Sequence, residues 1–198
     1  LYDLLVNGGT IYDGTGAPGY PADVGVVRGR IVAVGALSDE AKHTVDASGM
    51  AVSPGFIDLH THSDASFLID PTADSKVRQG CTLELAGNCG MSFCAPLLGQ
   101  AIPLAEERWQ AYGLKPELDW TTFDEYLSRL EGTGSTVNLA TQIGHGTVRA
   151  GVIGFDDRAP TRDELESMKR LVAEGLDAGA LGFSTGLYYA PGSYARTD

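Results

Sequence analysis

Residues 52–62 read VSPGFIDLHTH. The turn pair Pro54-Gly55 releases a short apolar run, Phe56-Ile57, that ends in polar residues. A run of this length behind a turn suits a buried parallel strand. In an extended chain residues i and i+2 point to the same side, so His60 and His62 project together. Two of the chain's 4 histidines fall in this one tripeptide. At the C-terminal end of a barrel strand they face the mouth where barrel active sites lie. Two neutral imidazoles on one face begin a zinc site; without that context they are a pair of surface or core histidines. Asp64 continues the spacing, either as a carboxylate that orients a histidine or as the N-cap of a helix that begins there.

Toward the N-terminus the pattern is all strand. LYDLLVNGGTIYD (residues 1–13) alternates and is expected to turn at Gly8-Gly9. DVGVVRGRIVAVG (residues 23–35) reads as a hairpin about Arg28-Gly29. VDASGMAVSPG (residues 45–55) adds a further strand and a turn, and nothing before residue 54 reads as helix. Residues 1–53 are therefore expected to form a small β-rich domain, and 54–198 a second one.

Toward the C-terminus helices and strands alternate. A helix is expected near 73–79, then a second buried strand over Cys81–Ala86, broken by Gly87. Residues 99–120 read as a long loop with helical pieces. Thr122 and Glu125 have the spacing of a capping box. Phe123, Tyr126, Leu127 and Leu130 then line one helical face, with Gly132 as the stop. A third strand follows at Val137–Ile143. A second capping box, Thr161 with Glu164, opens a helix carrying Leu165, Met168, Val172 and Leu176 on one face and closing at Gly179. Ala180–Ser184 is read as a fourth buried strand. This β-α-β-α-β-α-β order implies an α/β fold with a parallel sheet and outer helices.

Cys89 follows the second strand directly. It is either a thiolate that joins the histidines on zinc or a buried, inert cysteine. Cys81 and Cys94 read as structural. His145, between Gly144 and Gly146 after the third strand, is either a substrate-facing histidine or a loop histidine. Two patterns fail in context. Gly14–Gly19 matches a dinucleotide fingerprint but opens no helix and contains Pro18. Gly182–Gly186 matches a nucleophile elbow around Ser184, but a poor helix former follows it.

The bulk properties set outer limits. Hydrophobic residues at 43% and charged ones at 20% describe a globular chain with a core. The net charge of -12 argues against nucleic acid and against anionic membranes as partners. No apolar run is long enough to span a bilayer, and no signal peptide is visible at the start. Three cysteines without a paired framework fit a reducing, cytoplasmic setting.

VSPGFIDLHTH resembles the amidohydrolase superfamily, in which such a segment forms the first strand of a (β/α)8 TIM-type barrel. The leading β-rich stretch resembles that superfamily's small β-sandwich domain. GNCGMSFCAP (87–96), QIGHGTVR (142–149) and FSTGLYYAPGSYA (183–195) are most similar to the N-acyl-D-amino-acid deacylases, or D-aminoacylases. The resemblance implies the first half of the barrel and hydrolysis of the amide of N-acyl-D-amino acids, a small-molecule substrate, to a carboxylate and a free D-amino acid. It implies Zn2+ as cofactor. Cys89 and two later histidines would hold a tight zinc, with His60 and His62 facing a second, weaker site. A general-base Asp would fall beyond residue 198. Tyr188 and Tyr189 match the substrate-contacting segment, Tyr189 being the carboxylate contact, and His145 would steady the carbonyl or the oxyanion. The fourth strand lacks the carboxylated Lys of hydantoinases and dihydroorotases; Lys169 lies on the preceding helix. Such barrels often associate, so a homo-oligomer is allowed. The alternatives are a hydantoinase-like or dihydroorotase-like amidohydrolase, an inactive fragment if the chain ends at 198, and a serine hydrolase using Ser184.

Overall fold

The computed structural model describes residues 1–113 and 117–196. Residues 114–116, inside the 99–120 stretch, and 197–198, at the end of SYARTD, lie outside the described residues. The chain forms two compact units, Leu1–Gly55 and Phe56–Asp198.

The first unit is a five-stranded sheet. Its strands are β1 (Tyr2–Ile11), β2 (Tyr20–Val27), β3 (Arg30–Gly35), β4 (Ala41–Asp46) and β5 (Ala51–Val52). Hydrogen-bonded neighbours run β3-β2-β1-β4, with β5 also on β1. The β2-β3 hairpin turns at Arg28-Gly29, both with positive φ (51° and 71°), the geometry a tight two-residue turn requires.

The turn expected at Gly8-Gly9 is not there. β1 runs through both glycines, and its register against β2 slips between Val6 and Gly9. The extra residue is a β-bulge. On its other edge β1 pairs first with β4 and then with β5. A side chain at Gly9 would collide with Val52, 2.6 Å away, so a small residue is needed where the second strand arrives.

The second unit carries four parallel strands in the order β6-β7-β8-β9: β6 (Phe56–Asp58), β7 (Cys81–Ala86), β8 (Asn138–Gly144) and β9 (Gly182–Ser184). α1 (Ser66–Ile69) and α2 (Asp74–Val77) separate β6 from β7. α3 (Ala101–Gln110) and α4 (Phe123–Thr133) separate β7 from β8, and α5 (His145–Val152) and α6 (Arg162–Asp177) separate β8 from β9. This is an α/β sheet of parallel crossovers.

Both capping boxes form, at Thr122/Glu125 and Thr161/Glu164, each with its two reciprocal hydrogen bonds. α4 passes Gly132 and ends at Gly134, whose positive φ of 71° turns the chain away. The core gathers Ile143 of β8 with Trp109 of α3, Phe123 and Tyr126 of α4, Val148 of α5, and the loop residues Cys94, Leu97 and Trp120. The outer strands depart from the buried expectation. Phe56 is 62% exposed and Ile57 58%, and Leu181, just before β9, is 70% exposed, because β6 and β9 are the edges of this sheet among the described residues.

Candidate metal centre

β6 and β7 are register neighbours, with Asp58 opposite Glu84. Their C-terminal ends therefore emerge side by side. His60 and His62 leave the first and Cys89 the second. His60 Nε2 lies 3.2 Å from Cys89 Sγ, and the two imidazole centroids are 5.6 Å apart. One donor atom from each of the three residues lies within 4.8 Å of the others, the one such cluster among the described residues.

The loop that carries Cys89 is pinned from three sides. Gly87 has φ of 73°, and a Cβ there would sit 2.1 Å from the Gln142 carbonyl oxygen, so only glycine lets β7 end against β8 at this point. The Asn88 side-chain amide donates to the carbonyls of Leu85 (2.7 Å) and Thr61 (3.2 Å), and its oxygen accepts from Gln142 Nε2 (3.0 Å). The Gly90 carbonyl accepts from the Gly146 and Thr147 amides at the start of α5. Its own amide donates to Ser184 Oγ at 3.1 Å. Cys89 itself sits in the left-handed region, at φ 58°.

The electrostatics suit ligation. Burial, with the charge of Arg108 and then of His60, pushes the His62 pKa down and favours the neutral ring that can donate a lone pair. His62 Nδ1 is enclosed with no hydrogen-bond partner among the described residues. Asp64 is only 1% exposed. Burial lifts its pKa to about 7, against weaker pulls from the backbone amides of Asp64 and Gly87 and from Arg108. Those amides make no well-formed hydrogen bond, and both carboxylate oxygens stay without a partner. Asp64 does not cap α1; Ala65 holds that position without a side-chain bond. The Asp64 carboxyl is not part of the His60, His62 and Cys89 cluster; it faces Cys94 and Tyr126 of the core, whose pKa values are raised first by burial, with its charge a further cause. Two imidazoles and a thiol make a donor set matched to zinc, so the residues fit such an ion.

The other sequence candidates are placed as follows. His145 is the first residue of α5 rather than a loop residue, outside the three-residue cluster. Its Nδ1 is 3.1 Å from Thr185 Oγ1, and burial followed by the Arg149 charge lowers its pKa. Tyr189 lines the same cleft as His62 and Cys89, whereas Tyr188 is 88% exposed and meets Tyr189 edge to face. Cys94 is buried in the core and Cys81 half-buried in β7. Ser184 donates to the Gly87 carbonyl and accepts from Gly90, so its hydroxyl braces the Cys89 loop. Residues 14–18 lie exposed between β1 and β2, with no helix after them. Lys169, exposed on α6, pairs with Glu166.

Sequence reasoning passed over three residues. Met91, Phe93 and Arg108 complete a cleft of about 300 Å³ with His62, Cys89 and Tyr189. Arg108 belongs to α3, in the stretch read as loop. Its guanidinium lies 5.1 Å from the Phe93 ring centroid and 5.2 Å from that of Tyr112.

Residues 43–196 match the amidohydrolase family model. The chain is 42% identical over 198 residues to a D-aminoacylase of Alcaligenes xylosoxydans xylosoxydans, covering all of this chain and 40% of that protein. Among solved structures it superposes with a TM-score of 0.88 and 40% identity on a D-aminoacylase studied for its binuclear metal centre, over 100% of this chain and 41% of the other. A second match is an N-acyl-D-glutamate deacylase from Bordetella bronchiseptica, complexed with zinc and a phosphonate mimic of the tetrahedral intermediate. There the TM-score is 0.85 and the identity 40%, over 98% of this chain and 40% of the other. The chain thus spans about 40% of the length of the relatives it matches. By its family match and its shared fold, the chain belongs to the amidohydrolase family.

Proposed function

We propose that this chain is part of a zinc-dependent hydrolase that cleaves the amide of N-acyl-D-amino acids, releasing a carboxylate and a free D-amino acid. The carrying observation is the cluster of His60, His62 and Cys89, two strand ends converging on one point. The family match and the deacylase relatives support the same reaction class. In this reading β6 to β9 are the first half of a (β/α)8 barrel, formed by residues 54–198. Residues 1–53 supply part of a small β-sandwich domain.

Cys89, with histidines beyond residue 198, holds a tight zinc, and His60 and His62 face a second, weaker site. Zinc held there supplies Lewis-acid chemistry that polarises an amide carbonyl and acidifies water. His62 offers a neutral ring because burial disfavours its protonated form. Asp64, buried two residues further along the chain and outside the ligand cluster, balances the local positive charge. Tyr189 reaches into the cleft and hydrogen-bonds the α-carboxylate of the amino acid. His145, held through Nδ1 by Thr185, keeps Nε2 for the carbonyl oxygen as it gains charge. The general base is an aspartate beyond residue 198. No helix among the described residues is long and apolar enough to cross a membrane. The unpaired cysteines suit a cytoplasmic enzyme.

The test is turnover by the full-length gene product. Zinc-loaded protein should release D-amino acid from N-acetyl-D-amino acids in preference to the L forms. Chelation should abolish release and added zinc restore it. A His60→Ala/His62→Ala variant with wild-type metal content and turnover refutes the ligand assignment; absence of any N-acyl-D-amino-acid hydrolysis refutes the reaction.

A further inference from the structure

We propose that Arg108 is an anion-binding specificity residue in the cleft, selecting substrates that carry a second carboxylate beyond the α-carboxylate. This rests on the deacylase reading above and narrows its substrate class.

Arg108 lines the cleft beside His62, Cys89, Met91, Phe93 and Tyr189. It is, among the described residues, the one lysine or arginine in that lining, in a chain whose net charge is -12. Among the described residues no carboxylate pairs with it, and its enclosed Nε has no hydrogen-bond partner. The guanidinium is held between two aromatic rings, Phe93 at 5.1 Å and Tyr112 at 5.2 Å. Such stacking fixes the plane of the fork and costs it no donors. A guanidinium fixed in this way binds a carboxylate through two parallel hydrogen bonds without first losing much side-chain freedom. Its guanidinium shares that lining with His62 and Cys89 of the metal cluster. The cleft therefore has a ligand-rich end and a cationic wall. With Tyr189 on the α-carboxylate, the wall is left for a carboxylate on the amino-acid side chain or on the acyl group.

The experiment uses full-length, zinc-loaded protein and three substrates: N-acetyl-D-leucine, N-acetyl-D-glutamate and N-succinyl-D-leucine. The readout is the ratio of kcat/KM for each two-carboxylate substrate to that for N-acetyl-D-leucine. Arg108→Gln should lower at least one ratio by roughly tenfold to a hundredfold, chiefly through KM, the loss expected for one charge-assisted pair. Arg108→Lys should recover part of it. A fall for glutamate alone places the carboxylate on the side chain, and a fall for the succinyl substrate alone places it on the acyl group. Unchanged ratios in both variants overturn the proposal, because Arg108 would then only balance Asp64 or support the fold. If the wild-type protein hydrolyses none of the three, the deacylase reading fails separately. Calorimetric binding of N-acetyl-D-glutamate and N-acetyl-D-leucine to wild type and Arg108→Gln still decides the case. Equal loss of both ligands, or of neither, sinks it.

Discussion

His60 Nε2 and Cys89 Sγ meet at 3.2 Å although 29 residues separate them in the chain. The contact exists because β6 and β7 are parallel neighbours whose ends open on the same side. Removing either donor leaves an incomplete set. Cys89→Ala in the full-length protein should weaken zinc binding by more than roughly 100-fold, the upper end of what loss of an outer hydrogen-bond partner costs a site. Competition against a chromophoric chelator measures it, and retained affinity would remove Cys89 from the ligands.

Gly87 controls where that thiol points. Gly87→Ala puts a methyl 2.1 Å from the Gln142 carbonyl oxygen and a Cβ at φ 73°. The chain must move, at about 2 kcal/mol or more. Urea denaturation should show the lower midpoint, and zinc affinity should fall with it although no ligand has been touched.

The sheet is anchored by Ile143, fully buried in β8 and packed under α6. Ile143→Ala leaves a hole between strand and helix and should cost about 2–5 kcal/mol. Equilibrium unfolding gives the number; a loss under 1 kcal/mol would mean that the helices close over the gap.

Much of this architecture is legible in the chain, for local reasons. Cys81–Ala86 is the strand that its bounding turns define. Two Thr-x-x-Glu spacings mark two helix starts because each box is satisfied within four residues. The failures are non-local. The bulge in the β1–β2 pairing lies where the other edge of β1 passes from β4 to β5, long-range pairings that no short window reveals. α5 begins among Gly144, His145 and Gly146, poor helix formers, and its first amides are satisfied by Gly90, more than 50 residues earlier. α3 lacks a capping side chain and carries Pro103 near its start, so it reads as loop. The converging histidines and cysteine follow from strand-end spacing, but Arg108 does not: Tyr112 is one turn further along, whereas Phe93 reaches it from the separate loop after β7.

Acid should expose the second capping box. The Glu164 carboxyl is held down at about 2, first by its two-pronged pair with Arg158 and then by the Thr161 amide. Its folded pKa lies below the ordinary 4.5. As pH falls, the unfolded chain therefore takes up the proton first. The stabilisation is fully present above about 4.5 and disappears as pH drops toward 2. Glu164→Gln should accordingly lower Tm at neutral pH, and the gap to wild type should narrow steadily below pH 4.5. A gap that is constant with pH would show that the carboxylate charge contributes nothing.

The bare flanks of the parallel sheet carry a practical consequence. Phe56 and Ile57 on β6, and Leu181 just before β9, stand exposed beside edges that have no strand partner among the described residues. Expressed by itself, this stretch is an adhesive object, prone to recruit other copies along those flanks and to occupy chaperones. Charged replacements at Phe56 and Leu181 are the natural first step toward keeping it in solution.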